Sequence, residues 1–391
     1  MKILYLLERS ARESEVFIRR EIAEVMRQGS LVEAAHRHGA WYRVERAEVI
    51  VSLHPASSGA GAGIPMPPAG VARSIAAVAG DGGRRALAHA RGRGKGLGSG
   101  FRQAVALARH ARRFGADVLH AHFAARASED AMLVSWISGI PFTFTAHGYD
   151  VHLEPPPDYP ERAAAASAVV TVSGDNARVL AERNGVPREA IRVVHLGVDV
   201  NRYRPRGEAE PGLLVSVMRL HPDKGCDLLL DAAGLLRKRG IDFRWEIYGD
   251  GEERARMETR LAQGLASHVQ LMGWADEATL MSALSRASLF VLTSRHESLG
   301  VALLEAMACG VAAVATEVGG VPEVTDRGRC ARLVPAGSPP ALAEGIAALL
   351  ADAPARAALG VAARERVVAA FRLDESVLRL RKVWHEATGK R

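Results

Sequence analysis

The strongest constraint on the fold is an alternation of short apolar runs with helix-like stretches, which occurs twice along the 391 residues. In the first half the strand-like runs are KILYLL, EVIVSL, VLHAHF, FTFTAH, AVVTVS and IRVVHL, and the helix-like stretches include 16–28, 102–114 and 175–184. In the second half the corresponding segments are LLVSVM, FRWEIYG, VQLMGW, LFVLTS and VAAVAT, with helix-like stretches such as 225–239 and 300–309. Such an alternation is typical of parallel sheets with helices on both faces. The predicted fold class is therefore α/β, with two doubly wound, Rossmann-like domains.

A turn-rich, charged passage from Leu196 to Gly212 separates the two halves and predicts an interdomain linker. We expect an N-terminal domain over residues 1–204, a second domain over 205–373, and a C-terminal helix over 374–391 that packs back towards the N-terminal domain. Two segments rich in glycine, Pro55 to Gly70 and Gly82 to Gly100, predict mobile surface loops.

Composition narrows the class of protein further. No window approaches the ~20 uninterrupted apolar residues of a membrane-spanning helix, and the N-terminal MKILYLLERS lacks a small-residue cleavage site. We therefore expect a cytoplasmic protein that begins with a strand.

The cysteines Cys226, Cys309 and Cys330 form no CxxC pair or Cys/His cluster, which predicts buried thiols. The net charge of +7 and the pI near 9.6 admit nucleic acid, anionic membrane or phosphorylated ligands as partners.

The segment TSRHESLGVALLEAMACG, residues 293–310, carries the strongest chemical signal. A strand ends near Thr293, and a helix follows from Gly300, so the first-turn amides of that helix are available to bind a phosphate. At a rise of 1.5 Å per residue, the carboxylates of Glu297 and Glu305 are roughly 10 Å apart. This spacing fits a diphosphate-bridged ligand with hydroxyl groups at both ends, because a carboxylate accepts hydrogen bonds from two hydroxyls. The apolar surroundings of Glu305 argue against a simple solvated charge.

Arg219 and Lys224, in VSVMRLHPDKG, follow another predicted strand. Two cations in a strand-to-helix turn can bind opposite oxygens of one diphosphate and stabilise its charge as it leaves. Taken alone, two exposed surface cations would be an equally good interpretation. The glycine turn YGDGEER contains Gly249, which also follows a strand and could approach a nucleotide base.

His147 lies at the end of the apolar strand FTFTAH, which moves it from a structural to a functional candidate. His120 and His122 also lie near a strand end, and we interpret them as packing residues or as supports for the site.

Other functional patterns are missing. His296–Glu297 lacks the second histidine of a zinc protease, and GRGKG lacks the leading glycine and trailing hydroxyl of a phosphate loop. The first strand is not followed by GxGxxG, which argues against a nicotinamide-dependent dehydrogenase. No Asp-x-Asp occurs, so a dedicated metal–diphosphate chelate is unsupported. We predict no metal site and no cofactor.

The ordered set LGVDVNRYRP, MRLHPDKG, IYGDGEE and ESLGVALLEAMACGVAAVATEVGGVPE resembles the retaining GT-B glycosyltransferases of family 4, the group 1 glycosyltransferases. Their hallmark is Glu-x7-Glu, here Glu297 and Glu305. SEVFIRREIAEVMRQG and VLHAHFA are similar to a subgroup that builds bacterial exopolysaccharides and other surface glycans.

The resemblance implies two domains that face a central cleft and a set of site residues. Glu297 would bind the hydroxyls of the donor sugar and Glu305 the ribose. Arg219 and Lys224 would bind the diphosphate. His147 would orient the sugar from the N-terminal domain. The donor-binding set also includes Gly249, Ser298, Leu299, Gly300 and Val301. ESLG replaces the common EGFG, and Arg9 to Glu15 replaces a common Gly-Gly loop, so the donor sugar and the acceptor stay open.

The expected reaction is transfer of a sugar from a UDP- or GDP-linked donor to a hydroxyl, with retention of configuration and without a metal. A glycan, a lipid-linked sugar or a small molecule remain open as acceptors. One rival interpretation is a GT-B-fold epimerase or phosphorylase. Another is a basic membrane- or nucleic-acid-binding protein that uses residues 84–113, where nine Arg and Lys face no acid. We expect no nucleic acid partner; peripheral contact with the inner membrane face is open, and a solvated surface is an equal alternative.

Overall fold

The structure is a computed structural model that describes residues 1–8, 16–38, 41–46, 80–92 and 99–389. The predicted strand EVIVSL, the predicted loop Pro55 to Gly70 and the segment Arg9 to Glu15 lie outside the described residues. The chain divides into two compact units. Each unit is built on one sheet.

The first unit contains residues 1–172, 176–194 and 377–391. Its sheet has the strand order β3-β2-β1-β4-β5-β6-β7. These strands are β1 (Lys2–Leu7), β2 (Leu31–His38), β3 (Trp41–Arg46), β4 (Val118–His122), β5 (Phe142–Ala146), β6 (Ala168–Thr171) and β7 (Ile191–Val193). The helices along this part of the chain are α1 (Val16–Arg27), α2 (Asp81–Gly92), α3 (Ser99–Phe114), α4 (Arg126–Ser138), α5 (Tyr159–Ala165) and α6 (Gly174–Glu182).

The pairs within this sheet are parallel except β2 with β3, which is antiparallel. Apolar side chains of α3, α4 and the central strands form the core, including Phe101, Met132, Phe142 and Phe144. The sequence did not predict β2 and β3. LVEAAHRH and WYRVER carry many polar residues, so their pairing next to β1, rather than an apolar pattern, marks them as strands.

The second unit contains residues 173–175 and 195–376. Its sheet has the order β10-β9-β8-β11-β12-β13, with parallel pairs throughout. These strands are β8 (Leu213–Val217), β9 (Arg244–Tyr248), β10 (Val269–Gly273), β11 (Leu289–Leu292), β12 (Ala313–Thr316) and β13 (Arg332–Val334). The helices are α7 (Cys226–Lys238), α8 (Arg254–Ala262), α9 (Glu277–Arg286), α10 (Val301–Ala308), α11 (Val321–Val324), α12 (Pro339–Ala351) and α13 (Ala353–Ala370).

The two units divide between residues 194 and 195, slightly before the boundary at 204/205 that the linker composition suggested. The last helix, α14 (Leu373–Thr388), begins in the second unit and belongs to the first unit from Val377 onward. Its Trp384 is fully buried and donates its indole N–H to His120 Nδ1 at 3.3 Å. The C-terminal helix is therefore part of the core of the first unit.

The glycine- and arginine-rich segment forms helices where the sequence predicted a loop. Residues 82–92 lie in α2 and residues 99–100 in α3, so the loop prediction for Gly82 to Gly100 is wrong over these residues. Gly82 packs directly on the backbone of α4, because an added Cβ would lie 1.9 Å from the Trp136 oxygen. Arg85 stacks over the Trp136 ring at 4.3 Å. Packing against α4 thus orders a helix whose composition alone is typical of a flexible segment.

Some cations of the 84–113 segment bind groups of the protein itself. Arg84 pairs with Asp81, just outside the segment, and Arg112 donates to the carbonyl oxygens of Ile137 and Ser138 at 2.8 and 3.0 Å. These two arginines therefore bind groups within the first unit. Membrane contact by the remaining cations stays open, with a solvated surface as the equal alternative.

Among the described residues, no single helix is long and apolar enough to cross a bilayer, although α12 and α13, bent by 104° at their junction, pass together on length and composition. Cys226, Cys309 and Cys330 are free and buried, as predicted.

Candidate active site

Three neighbouring strands of the second sheet bring the predicted segments to one edge. Gly249 directly follows β9, Arg219 follows β8, and Glu297 lies in the turn after β11. Because β9, β8 and β11 are adjacent and parallel, their carboxyl ends lie at the same edge of the sheet. This edge is where open α/β sheets bind ligands.

The Lys224 ammonium forms an ion pair with Glu297, with Nζ 2.7 Å from Oε2. The hydroxyl of Ser294 donates to the same oxygen at 3.0 Å. Both contacts fall on Oε2, and among the described residues Oε1 has no hydrogen-bond partner. Glu297 is therefore held in place by one oxygen, and the other can accept hydroxyl groups of a ligand.

The local sequence fixes Lys224 in a short helical turn (Pro222–Lys224) that packs against the turn after β11. The hydroxyl of Thr293 donates to the Lys224 carbonyl at 2.7 Å, and the N–H of Arg295 donates to the Asp223 carbonyl at 2.7 Å. Gly225 has a φ of +68°, and an added Cβ would lie 2.1 Å from the Thr293 oxygen. A glycine is thus required where the two turns meet.

A glycine pair after β12 holds the backbone of Glu297 from the other side. The N–H of Gly320 donates to the Glu297 carbonyl at 3.0 Å. An added Cβ on Gly319 would lie 2.0 Å from the Glu297 oxygen, and one on Gly320 would lie 2.2 Å from the Ser298 oxygen. Sequence reasoning assigned no role to these glycines, although the run EVGGVPE was visible.

The helix α10 begins as the sequence predicts. Gly300 occupies its N-cap in the left-handed region, with a φ of +92° and no side-chain cap. The first-turn amides therefore lack a side-chain partner, as an anion-binding helix end requires. Ser298 and Val301 are half-buried. Leu299 is only 1% exposed, so its side chain packs in the unit, and its contact with a donor stays a prediction.

Glu305 is buried, at 6% exposure, in the second turn of α10. This agrees with the expectation that it is not a solvated surface charge. Burial, and next the nearby Glu305 carboxylate, raise the pKa of the Cys309 thiol to about 12. Cys309 therefore stays a neutral thiol.

Arg219 has an exposed side chain, whereas Gly249 is a tightly packed backbone position. Arg219 is exposed, and within the described part of the chain no group binds its guanidinium. It is therefore available to an anion. Gly249 has a φ of +132°, and an added Cβ would lie 1.8 Å from the Met218 oxygen. Gly249 thus permits close packing of the ends of β8 and β9, and its contact with a nucleotide stays a prediction.

His147 belongs to the first unit, directly after β5, and is 6% exposed. Its Nε2 lies 3.1 Å from His122 Nδ1, and the Phe123 ring lies 4.6 Å from its own ring. Burial, and then the neighbouring His122, lower the pKa of His147 well below its ordinary value. His147 is thus a neutral imidazole. The role that the resemblance gives it stays a prediction.

A polar cluster lies beneath His147. His122 Nε2 is 3.1 Å from Glu21 Oε1, and His120 contacts the hydroxyls of Thr143 and Thr145 at 2.8 and 3.1 Å. The ligand atoms of Glu21, His120 and His122 lie within 4.8 Å of one another, a spacing that metal sites also use. Both nitrogens of both rings already have protein partners, however. The sequence flagged these histidines as packing residues or supports for the site, and gave no signal for Glu21.

The fold is the GT-B fold of glycosyltransferases. A solved structure of HepE (Alr3699) from Anabaena, in complex with UDP and glucose, superposes with a TM-score of 0.70 over 98% of both chains at 18% identity. At this identity the likeness shows the fold. The predicted GT-B fold class is confirmed.

Two family models match consecutive parts of the chain. Glycosyltransferase Family 4 matches residues 68–202, and Glycosyl transferases group 1 matches residues 201–366. Together the two models cover residues 68–366, and the predicted resemblance to the group 1 and family 4 glycosyltransferases is confirmed.

Curated relatives match over shorter stretches. The putative colanic acid biosynthesis glycosyltransferase WcaL of Escherichia coli is 34% identical over 43% of this chain and 44% of its own length. An uncharacterized glycosyltransferase, MJ1178 of Methanocaldococcus jannaschii, is 28% identical over 70% of this chain and 76% of its own length. The match to WcaL thus spans less than half of that relative.

Proposed function

We propose that the protein transfers a sugar from a UDP- or GDP-linked donor to an acceptor hydroxyl, in the synthesis of a bacterial polysaccharide or glycolipid. The observation that carries this proposal is the Lys224–Glu297 ion pair beside the uncapped start of α10. It combines a cation, a carboxylate oxygen and free amides at one sheet edge. A nucleoside diphosphate sugar offers the matching groups, which are a dianionic bridge and hydroxyls on either side.

In the proposed complex, Glu297 Oε1 accepts hydroxyls of the donor sugar, and the α10 amides with Lys224 and Arg219 bind the diphosphate. Glu305 accepts the ribose hydroxyls. Bond cleavage places extra negative charge on the departing diphosphate. Fixed cations and amides stabilise that charge more than they stabilise the bound donor, which is how they lower the barrier. This positive charge comes from the protein, so the proposed reaction needs no metal.

The proposed stereochemistry is retention. The bond from the anomeric carbon to the diphosphate breaks, the acceptor oxygen bonds to the same face, and its proton passes to the departing diphosphate. We assign no covalent nucleophile, because Glu297 is already bound to Lys224 and positioned for hydroxyl recognition. The resemblance to the retaining GT-B glycosyltransferases of family 4 supports retention.

The name of the WcaL relative supports a surface polysaccharide as product. The acceptor is proposed only as a class, which is a hydroxyl on a glycan or on a lipid-linked sugar.

The test is an assay of nucleotide release with a panel of UDP- and GDP-sugars, with and without acceptor extracts. The proposal predicts acceptor-dependent release with one donor, and a product whose anomeric configuration by NMR coupling matches the donor. Conversion of the donor without acceptor would instead show an epimerase. A product of inverted configuration would refute retention.

A further inference from the structure

A continuous chain of hydrogen-bonded groups leads to His147 from the interior of the first unit. Tyr5 donates its hydroxyl to Glu21 Oε1 at 2.9 Å, and the same oxygen lies 3.1 Å from His122 Nε2. His122 Nδ1 in turn lies 3.1 Å from His147 Nε2. The chain joins α1, β1, β4 and the residue after β5.

The Glu21 carboxylate sets which groups donate and which accept in this series of hydrogen bonds. Burial, and next the charge of Glu21, raise the pKa of Tyr5 well above its ordinary value, so Tyr5 stays protonated and donates. A carboxylate only accepts hydrogen bonds, so His122 Nε2 must carry a proton and donate it to Glu21. The Nδ1 of a neutral His122 is then an acceptor. His147 Nε2 must donate to it.

Burial favours a neutral His147 ring in this network. His147 is 6% exposed, and a charge on its ring would be costly to bury. Burial, and next the proximity of His122, lower the pKa values of His120 and His147 well below their ordinary value.

Packing of the aromatic rings holds the orientation of the His120, His122 and His147 rings. The Tyr5 and His122 rings stack with 8° between their planes, and His122 stacks on His147 with 18°. Trp384, which can only donate, contacts His120 Nδ1 and so keeps the His120 proton on Nε2, towards Thr145. The rings are therefore held in one orientation.

The chain leaves one nitrogen of His147 unused. Among the described residues, nothing bonds to His147 Nδ1. With the proton on Nε2, this nitrogen carries a lone pair.

We propose that Glu21, acting through His122, keeps the His147 proton on Nε2 and so presents Nδ1 as a hydrogen-bond acceptor for a substrate hydroxyl. Glu21 and His122 are positioning residues, and His147 is the group that contacts substrate. The identity of that substrate rests on the proposed function, whereas the proton arrangement does not.

The test is the tautomer of His147, read from ring ¹⁵N shifts of histidine-labelled protein near neutral pH. Comparison with His147→Ala assigns the signal among the 14 histidines. We expect a protonated Nε2 and an unprotonated Nδ1 in the wild type. Glu21→Gln, whose amide can also donate, should shift the population towards a protonated Nδ1, and Glu21→Asp should restore much of the wild-type signal.

Glu24→Gln is the matched control, since Glu24 lies on the same helix and is similarly buried but binds Arg27 and Gln28. It should leave the His147 signal unchanged. A protonated Nδ1 in the wild type would overturn the proposal even if the Glu21 variants failed to fold. A folded Glu21→Gln with an unchanged His147 tautomer would also overturn it. Stoichiometric binding of Zn²⁺ by Glu21, His120 and His122 would do the same.

Turnover separates this proposal from the proposed function. If the transferase activity exists, Glu21→Gln should lower kcat/KM by about tenfold, the effect of one lost hydrogen bond to the substrate. If no sugar nucleotide is turned over, the proposed function fails, and the ¹⁵N result still decides the proton arrangement.

Discussion

The Lys224 ammonium lies 2.7 Å from the Glu297 carboxylate across 73 positions of sequence. The contact exists because β8 and β11 are neighbours in the sheet and the turn after each strand packs on the other. It places a cation and a carboxylate side by side, where the proposed donor has a diphosphate next to a sugar.

Lys224→Ala should lower kcat by about 10²- to 10³-fold, because a fixed donor to the developing diphosphate charge is lost. Steady-state kinetics with the donor that the panel identifies would measure this. Lys238→Ala, at the exposed end of α7 in the same unit, should behave as the wild type. Equal activity of both variants would remove Lys224 from the proposed mechanism.

Gly319→Ala should destabilise the second unit by about 1–3 kcal/mol, because the added methyl lies 2.0 Å from the Glu297 oxygen at a φ of +49°. It should also lower activity by displacing Glu297. Gly234→Ala is the contrasting variant, since Gly234 lies inside α7 with nothing within 4 Å of an added Cβ. It should stabilise by about 0.5–1 kcal/mol. Urea unfolding compares the two, and effects of the same sign would refute the packing argument.

Asp150 should make stability depend on pH. Burial raises its pKa from 3.8 to about 7, although the N–H groups of Ala124, Asp150 itself and His147 act in the opposite direction. The folded state therefore holds this proton more tightly than the unfolded state. Its stabilising contribution is complete below the unfolded pKa and is lost as pH rises through the folded pKa, at about 7.

The measurement is the difference in unfolding free energy between the wild type and Asp150→Asn, which cannot titrate. The wild type should lose stability relative to the variant as pH rises between these two pKa values. A constant difference, or a gain by the wild type, would show that Asp150 is ionised throughout.

Local patterns predicted the parts of the molecule that depend on short stretches of sequence. The apolar run before Thr293 and the composition after Gly300 are enough to place a strand and a helix, and with them Glu297 and Glu305. The apolar run before Arg219 likewise predicts a strand, and with it the positions of Arg219 and Lys224 in the turn that follows.

The parts that were missed depend on contacts between distant segments. Nothing near Gly319 and Gly320 indicates that they hold the backbone of Glu297. Glu21 lies on an amphipathic helix where an acid is normally exposed, and only the fold places it against His122. For the same reason α2 was predicted as a loop, because its order comes from packing on Trp136.

The most direct measurement of the central claim is calorimetric titration of UDP and GDP into the wild type and Glu305→Gln, with Glu344→Gln, an exposed glutamate on α12, as control. The proposed site predicts that one nucleoside diphosphate binds to the wild type and to the control, and that Glu305→Gln weakens its affinity by about tenfold or more, the effect of lost hydrogen bonds to a charged group. Binding of neither nucleotide, or equal affinity in all three proteins, would contradict it.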